Sequence, residues 1–352
     1  MMTDERKARL PLGKRAILLG LVFAMVLAGL IIWQFLGRER EYELTAFAMG
    51  SYVQQTVWGR EPEPEAAAAE AVQGIEELER EISWRRDGGV AHVNSQAGGE
   101  PVALSDSVGE LLAEMMELCE RSSGALDITL GPVMGLWDFA NEPRLPEAGE
   151  LAERMALVGW QEVELTGDSL SLGREGMSLD LGAIGKGAAC DVALDEYSRS
   201  QVQAAVVAVG GSVGLYGHKP GGGDWQVGVR DPEGSGSLGV LSLPGGFVST
   251  SGSYEKYFEQ DGKLYHHILD PRTGYPAESG LVSVTVWCPP GMDVKYPGAL
   301  SDGLATACFV LGLEDGMELL ESYGAGGIFI TEGGDITITE GLEGRFTLGE
   351  GG

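Results

Sequence analysis

The chain has 352 residues, of which 53 are acidic and 24 basic, so its formal net charge is −29. Apolar residues make up 43% of the sequence, which is enough to build the core of one large or two medium globular domains. The acidic excess argues against a nucleic-acid-binding protein, because neutralising phosphates requires clustered lysine and arginine side chains.

An uncharged, apolar segment lies near the N-terminus, over residues 16–36. As a helix, these 21 residues would extend about 31 Å, close to the hydrocarbon thickness of a bilayer. Basic side chains dominate the preceding residues, which predicts a cytoplasmic tail over 1–15, a transmembrane anchor over 16–36 and an exported domain over 37–352. A cleaved signal peptide is the alternative, although no small-residue cleavage site follows the segment.

Export would allow the cysteines to form disulfides. Cys119, Cys190, Cys288 and Cys308 show no C-x-x-C spacing, so they indicate neither a zinc site nor a redox pair. Cys119, Cys190 and Cys308 lie among helix-like apolar neighbours, and we expect these three to be small core residues. The sequence alone does not decide whether two of the four form a disulfide.

Helical and strand-like patterns are mixed along the rest of the chain. Amphipathic spacing predicts helices over Glu61–Ile82 and Ser105–Ser122. Two more helices are predicted, over Gly187–Ser198 and Ser301–Leu311. The strand-like runs, separated by glycine-rich turns, are Ala204–Val209, Trp225–Val229, Leu281–Trp287 and Gly327–Thr331. Because there is no strict βαβ alternation and no fixed repeat, the pattern predicts an α+β fold.

Two glycine-rich motifs are candidates for phosphate binding. Residues 179–187 read LDLGAIGKG and lead into a predicted helix. Glycines at such a position let the backbone approach a ligand, and a helix N-terminus favours an anion. The motif matches neither a P-loop nor a dinucleotide fingerprint. Residues 206–212, VVAVGGS, form a strand-like run that ends in two glycines. For either motif, an ordinary turn is the alternative interpretation.

A third motif contains two of the four histidines of the chain. Residues 265–274 read YHHILDPRTG. Adjacent residues of a strand point to opposite faces, so at most one of His266 and His267 is expected to face a site. A histidine there could take or orient the proton of an attacking hydroxyl, while a structural role fits the pattern equally well.

A fourth motif, SDGLATA over residues 301–307, combines a carboxylate with a hydroxyl. Asp302 and Thr306 are four residues apart and would share one face of a helix. Such hard oxygen ligands suit Mg²⁺, which completes its coordination with water and substrate phosphates. Alternatively, Asp302 caps the helix and Thr306 packs in the core.

Six ordered blocks together carry a family resemblance. They are the four motifs above, Met49-Gly50-Ser51, and GALDITLGP over residues 124–132. In this order they resemble the FAD:protein FMN transferases, the ApbE family, over roughly residues 44–346. The resemblance implies an enzyme that uses Mg²⁺, takes FAD as its substrate, joins FMN to a Thr or Ser hydroxyl of an acceptor protein and releases AMP.

The resemblance also implies partners and a location. The partners would be FAD and an exported acceptor, either a redox subunit or a secreted flavoprotein, together with the membrane through the anchor. The chain would then be a single-pass cell-membrane protein with its catalytic domain on the extracytoplasmic side. Two other activities remain open: a module that binds FAD without transferring it, and a pyrophosphatase that hydrolyses FAD to FMN and AMP.

Individual residues take their expected roles from the same resemblance. His267 and Asp302 match catalytic positions, and the metal ligands would be Asp302, Thr306 and the backbone carbonyl of Ala183. The positions that match residues lining FAD are Met49, Trp84, Ala125, Leu126, Asp127, Asp180, Lys186 and the backbone near Leu269.

Two departures from the family pattern occur. Met-Gly-Ser replaces the commoner Met-Gly-Thr, and Gly88-Gly89 replaces the usual Ser-Glu. The second departure lies close to Trp84. This aromatic side chain could stack on a ring of FAD or simply close the preceding helix.

Overall fold

The computed structural model of the chain describes residues 13, 20–28, 39–234 and 236–349. Residues 20–28 are helical, and large apolar side chains of this segment are exposed to solvent. Within the described ranges, no helix combines the length and hydropathy needed to cross a bilayer. Most of the predicted anchor over 16–36 lies outside these ranges, so the anchor stays a prediction.

The fold is built around one large antiparallel sheet. Its eight strands are β1 Glu39–Ala48, β2 Ser51–Arg60, β6 Ala204–Val209, β7 Ser212–Gly217, β10 Gly246–Gly252, β13 Leu281–Cys288, β14 Gly326–Thr331 and β15 Ile336–Ile338. They lie in the order β1-β2-β6-β7-β10-β13-β14-β15, which makes β1 an edge strand. Every pairing between these neighbours is antiparallel.

Three smaller sheets surround the large one. They consist of β3 Val102–Ala103, β4 Val163–Thr166 and β5 Ser169–Leu172; of β8 Trp225–Arg230, β9 Ser237–Leu243 and β16 Phe346–Leu348; and of the hairpin β11 Tyr257–Gln260 and β12 Lys263–His266. Side chains of β8 and β9 such as Trp225 and Leu241 pack against Ile328 and cover part of one face of the large sheet.

Helices pack around the sheets, and several of them contact strands of the large sheet. They are α1 Glu63–Ile82, α2 Gly89–Ser95, α3 Asp106–Arg121, α4 Gly131–Trp137, α5 Ala148–Met155, α6 Gly185–Arg199, α7 Pro297–Leu311 and α8 Leu313–Tyr323. Short 3₁₀ turns occur at Trp160–Glu162 and Glu340–Leu342. All four cysteines are buried with free thiols, so the chain has core cysteines and no disulfide.

The structure confirms the mixed helix and sheet content predicted from the sequence. The predicted helices and strands are all present, with ends that differ by a few residues. The largest difference is at α7, which begins at Pro297 rather than Ser301. Asp302 therefore lies in the second turn of this helix, and the alternative in which it caps the helix is wrong.

Two glycines allow α6 and α7 to come into backbone contact. A Cβ on Gly187 would lie 2.0 Å from the carbonyl oxygen of Gly298, and a Cβ on Gly298 would lie 2.4 Å from that of Gly187. The carboxylate of Asp191 on α6 accepts hydrogen bonds from the backbone N–H groups of Gly298 (2.7 Å) and Ala299 (2.8 Å). Only glycine fits at this crossing, which brings the first turn of α6 against the first two turns of α7.

We predict that Gly187→Ala lowers the free energy of unfolding by at least about 2 kcal/mol, because the added methyl group overlaps backbone that has to shift. Gly149→Ala is the matched control, since a Cβ at that helical position meets nothing within 4 Å. We expect the control to leave stability unchanged or slightly raised. Urea denaturation measures both variants, and equal stabilities would contradict the close-contact explanation.

Candidate functional site

Two tight turns lie side by side at one end of the large sheet. Met49-Gly50 joins β1 to β2, with φ angles of 56° and 67°, the positive values that a type I′ hairpin turn requires. Gly210-Gly211 joins β6 to β7. Because Val53 on β2 pairs with Val209 on β6, the two turns are neighbours. Both the Met-Gly-Ser and the Val-Gly-Gly motifs therefore belong to one site.

The first turn of α6 adds a cation beside these turns. A Cβ on Gly210 would lie 3.1 Å from Cδ of Lys186 and 3.0 Å from Oγ of Ser51. A Cβ on Gly185 would lie 3.0 Å from Cε of Met49. The LDLGAIGKG motif thus meets the two turns through its Gly-Lys-Gly end.

Lys186 and Asp302 form an ion pair at the centre of the site. Nζ of Lys186 lies 3.4 Å from Oδ2 of Asp302, and the same oxygen accepts a hydrogen bond from the N–H of Gly187 at 3.0 Å. The Asp302 side chain is only 3% exposed and that of Lys186 is 24% exposed. Burial lowers the pKa of Lys186, but Asp302 and Glu255 more than offset this effect and raise it above the ordinary lysine value. Lys186 therefore carries a positive charge at neutral pH.

The three predicted metal ligands each offer a hard oxygen donor: a carboxylate, a hydroxyl and a backbone carbonyl. Thr306 follows Asp302 by one helical turn, and its Oγ1 lies 3.1 Å from Oγ of Ser251. The carbonyl oxygen of Ala183 accepts no hydrogen bond from the residues that the structure describes. In the same ranges no three His, Cys, Asp or Glu side chains converge. The predicted set needs only one carboxylate, because its other donors are a hydroxyl and a carbonyl, and the residues present suit Mg²⁺.

His267 lies within electrostatic reach of Lys186, and its ring lies edge-on to that of Phe139. Its backbone N–H donates to the carbonyl of Lys256 at 3.0 Å, closing the base of the β11–β12 hairpin. His266 points the other way and packs against the ring of Phe309, so the prediction that at most one of the two faces the site is confirmed. Burial, aided by the charges of Lys256 and Lys186, lowers the pKa of His267 to about 3, and its Nδ1 is buried without a hydrogen-bond partner.

The side chains of the GALD block are engaged within the core and within their own loop. The side chains of Ala125 and Leu126 are buried in the core, so only their backbone can reach a ligand. The carboxylate of Asp127 accepts hydrogen bonds from the backbone N–H groups of Thr129 (2.8 Å) and Trp160 (3.2 Å). Burial raises the pKa of Asp127, opposed by these hydrogen bonds. Asp127 thus organises its own loop, beside a cavity of about 220 Å³.

Backbone contacts join the GALD block to the LDLGAIGKG motif. The N–H of Asp180 donates to the carbonyl of Ile128 at 2.9 Å. The side chain of Asn94 holds Leu179 by two hydrogen bonds, to its N–H (2.7 Å) and its carbonyl (3.0 Å). The carboxylate of Asp180 accepts from the N–H of Gly182 at 2.7 Å, while burial raises its pKa. These contacts fix the loop that leads into α6.

Trp84 and Leu269 are held by packing. Trp84 is partly buried against the main core, and the guanidinium of Arg85 lies 4.5 Å from the centre of its ring. One face of the Trp84 ring is therefore already covered by a cation. The side chain of Leu269 is buried in a separate cluster with Trp137, so only its backbone can face the site, as the resemblance implied.

Sequence reasoning missed a group of polar residues on β10 and after it. Oγ of Ser249 lies 3.0 Å from that of Ser212 and 2.7 Å from that of Ser301, and Ser251 contacts Thr306. Glu255 and Lys256 follow and set the charge around Lys186 and His267. The signal was a strand with three consecutive hydroxyl residues, Ser249-Thr250-Ser251, which a purely structural strand has no reason to contain.

Comparisons with known proteins identify the family of the chain. The ApbE family matches residues 49–329. The chain belongs to the ApbE family. The FAD:protein FMN transferase of Treponema pallidum is 33% identical over 330 residues, which cover 88% of this chain and 89% of the relative. That of Klebsiella pneumoniae is 34% identical over 316 residues, covering 88% and 95%. The resemblance seen in the sequence is confirmed, and the chain is an enzyme of the transferase class.

Solved structures of the ApbE family share the fold. The ApbE protein of Thermotoga maritima superposes with a TM-score of 0.78 at 30% identity, covering 87% of this chain and 99% of that structure. The flavinyl transferase ApbE of Pseudomonas stutzeri gives 0.76 at 32% identity, covering 88% and 98%.

The lowered pKa of His267 predicts a pH effect on stability. Between its ordinary value of 6.5 and about 3, the unfolded chain binds a proton at this imidazole and the folded chain does not. Protonation therefore favours unfolding as the pH falls through this range. In urea denaturation at several pH values, we expect His267→Gln to show a shallower loss of stability below pH 6.5 than the unmodified chain. His218→Gln, in an exposed position, serves as the control. Parallel pH profiles for all three chains would contradict a neutral, buried His267.

Proposed function

We propose that this chain transfers FMN from FAD to a Thr or Ser hydroxyl of an exported acceptor protein and releases AMP. The observation that carries the proposal is the Lys186–Asp302 pair at the start of α6, next to the Met49-Gly50 and Gly210-Gly211 turns. A cation, a helix N-terminus and two turns that contain glycine are suited to the diphosphate of a dinucleotide.

The transfer exchanges the phosphoanhydride bond of FAD for a phosphoester bond to the acceptor. The acceptor oxygen attacks the phosphorus of the FMN half, and the bond from that phosphorus to the bridging oxygen breaks, so that AMP leaves with the bonding electrons. Lys186 is placed to hold the phosphate charges, and its raised pKa keeps it cationic for this purpose. Orienting the two reactants and neutralising charge are the main contributions that a protein makes to phosphoryl transfer.

His267 is the candidate acceptor of the hydroxyl proton. A hydroxyl is a weak nucleophile until its proton is removed, and a neutral imidazole can accept that proton. The imidazole of His267 is neutral at neutral pH, because its pKa is lowered to about 3. Binding of an anionic diphosphate beside it would raise its proton affinity and improve it as a base.

Asp302, Thr306 and the carbonyl of Ala183 would hold Mg²⁺ in this proposal. The bound ion would neutralise charge on the diphosphate and so stabilise the departing AMP. The support lies in the donor chemistry described above: a buried carboxylate, a hydroxyl one helical turn away and a carbonyl that is free of other bonds.

We predict that Asp302→Ala abolishes transfer while the fold is retained. Its carboxylate is the only acidic member of the proposed ligand set, and it also positions Lys186 and the N-terminus of α6. The assay incubates the chain with FAD, Mg²⁺ and an acceptor domain that carries a Thr in a short Asp/Ser/Gly-containing motif, and measures covalent flavin fluorescence on the acceptor. Asp315→Ala, an exposed position on α8, is the control and should transfer at the unmodified rate.

The same assay separates the alternative activities. Free FMN and AMP without a labelled acceptor would indicate a pyrophosphatase, and unchanged bound FAD would indicate a binding module. Full labelling of the acceptor by Asp302→Ala, with circular dichroism matching that of the unmodified chain, would refute the assignment of Asp302.

We also propose that residues 16–36 anchor the chain in the cell membrane, with the enzyme domain on the extracytoplasmic side. The support is the length and apolarity of this segment and the basic residues that precede it. The full chain should remain in the membrane pellet after an alkaline wash, whereas a chain that begins at Glu39 should be found in the supernatant. External protease added to spheroplasts should digest the enzyme domain, and protection of that domain would contradict the orientation.

A further inference from the structure

Exposed apolar side chains are concentrated near the site. Among the described residues after position 38, six large apolar side chains are exposed: Phe47, Tyr52, Tyr257, Leu264, Tyr275 and Leu348. Phe47 and Tyr52 flank the Met49-Gly50 turn, and Tyr257 and Leu264 lie on the hairpin that ends at His267. Tyr275 follows the HILDPRTG motif. Leu348, on β16, is the one that does not adjoin a site motif.

Phe47 and Tyr52 form an isolated aromatic pair. They lie directly opposite each other on β1 and β2, with ring centroids 5.7 Å apart and ring planes at 85°. Each residue is 66% exposed, although the two rings touch. Aromatic side chains that protrude in this way are typical anchors of protein–protein contacts.

The backbone of β1 is also available for pairing. Because β1 is an edge strand, one row of its hydrogen-bonding groups points away from β2. Ala48 and Ser51 flank a two-residue turn and so form a hydrogen-bonded pair, which alternates with non-hydrogen-bonded pairs along the hairpin. By this alternation, Thr45 and Phe47 direct their N–H and C=O groups outwards.

Charges protect only one half of this edge. The first half of β1 contains Glu39, Arg40, Glu41 and Glu43, whereas Leu44–Ala48, the half next to the site, contains no charged residue. Edge strands are usually guarded by charges against pairing with another chain. The half of β1 that leads into the Met49-Gly50 turn lacks this protection and carries Phe47.

We propose that the acceptor protein docks by adding an extended segment to β1 along Leu44–Ala48, with an apolar side chain packed on Phe47 and Tyr52. This inference rests on the proposed function, because a transferase acting on protein must seat a stretch of polypeptide beside its site. β1 ends at the turn whose Met49 and Ser51 lie against the first turn of α6 and Gly210. A strand added here is therefore guided towards Lys186, and main-chain pairing accommodates different acceptor sequences.

The side-chain test compares two aromatic positions with a distant one. Phe47→Ser and Tyr52→Ser should each raise the KM for the acceptor domain at least about tenfold, the effect expected for removing an aromatic anchor. The kcat at saturating acceptor and the Kd for FAD should not change. Leu348→Ser, which removes a side chain that is 54% exposed on β16, is the control and should leave all three quantities unchanged.

The backbone test uses proline, which removes an N–H group from the free edge. Thr45→Pro should raise the KM for the acceptor about as much as Phe47→Ser, since its N–H points away from β2 and pairing with β2 is spared. Glu41→Pro has the same backbone orientation in the charged half of β1 and should leave the KM unchanged. Equal circular dichroism and thermal unfolding of the two variants establish that the hairpin is intact.

Each of the following outcomes would contradict the proposed docking surface. If the unmodified chain labels the acceptor and the Phe47, Tyr52 and Thr45 variants keep its KM, the docking surface is wrong while the proposed function stands. A weaker Kd for FAD in Phe47→Ser would assign the aromatic pair to the FAD site instead. A change from dimer to monomer on size exclusion, or loss of binding to lipid vesicles with the KM unchanged, would assign the pair to self-association or to the membrane. Absence of any labelling by the unmodified chain would refute both the function and the docking.

Discussion

The contact between the first turn of α6 and the first two turns of α7 is the constraint on which the site depends. A buried carboxylate is unfavourable unless charges and hydrogen bonds compensate for its lost hydration. Asp302 obtains both from α6, through the ammonium of Lys186 and the N–H of Gly187. The two helices can approach closely enough for these contacts only because Gly187 and Gly298 have no side chains at the crossing. Gly187 of the LDLGAIGKG motif thus serves helix packing.

The hydroxyl groups of β10 extend this arrangement into the large sheet. The hydroxyl of Ser249 forms hydrogen bonds with those of Ser212 and Ser301, and the hydroxyl of Ser251 forms one with that of Thr306. The sheet therefore contacts one face of α7 through polar groups. Buried hydroxyls specify an orientation more sharply than apolar contacts do, because any other rotation of the helix leaves them unsatisfied. Asp302 and Thr306 are held towards the two turns for this reason.

The sequence alone was a good guide to local chemistry and a poor guide to contacts between distant segments. Short runs of Gly, Asp, His and Thr indicated the four motifs, since packing gives no reason for such combinations. The start of α7 was predicted four residues late, because Gly298 and Ser301 are weak helix formers and the compensating acceptor, Asp191, lies more than a hundred residues earlier. Likewise, nothing in the GALD block shows that Thr129 and Trp160 occupy the Asp127 carboxylate. Only the folded chain reveals these partners.

The charge of the whole chain is also a poor guide to the charge within the site. A protein with a net charge of −29 repels an anionic dinucleotide at long range. At physiological ionic strength, however, exposed charges more than about 8 Å away are largely screened. Nearer charges then dominate, and Lys186 and Lys256 are close enough to His267 to lower its pKa. Burial is the main reason why the pKa of His267 is low, and the two cations add to it. In the proposed function the same cations would attract phosphate, and a bound phosphate would oppose their effect on His267. Substrate binding and the proton affinity of the proposed base would then be coupled through one pair of lysines.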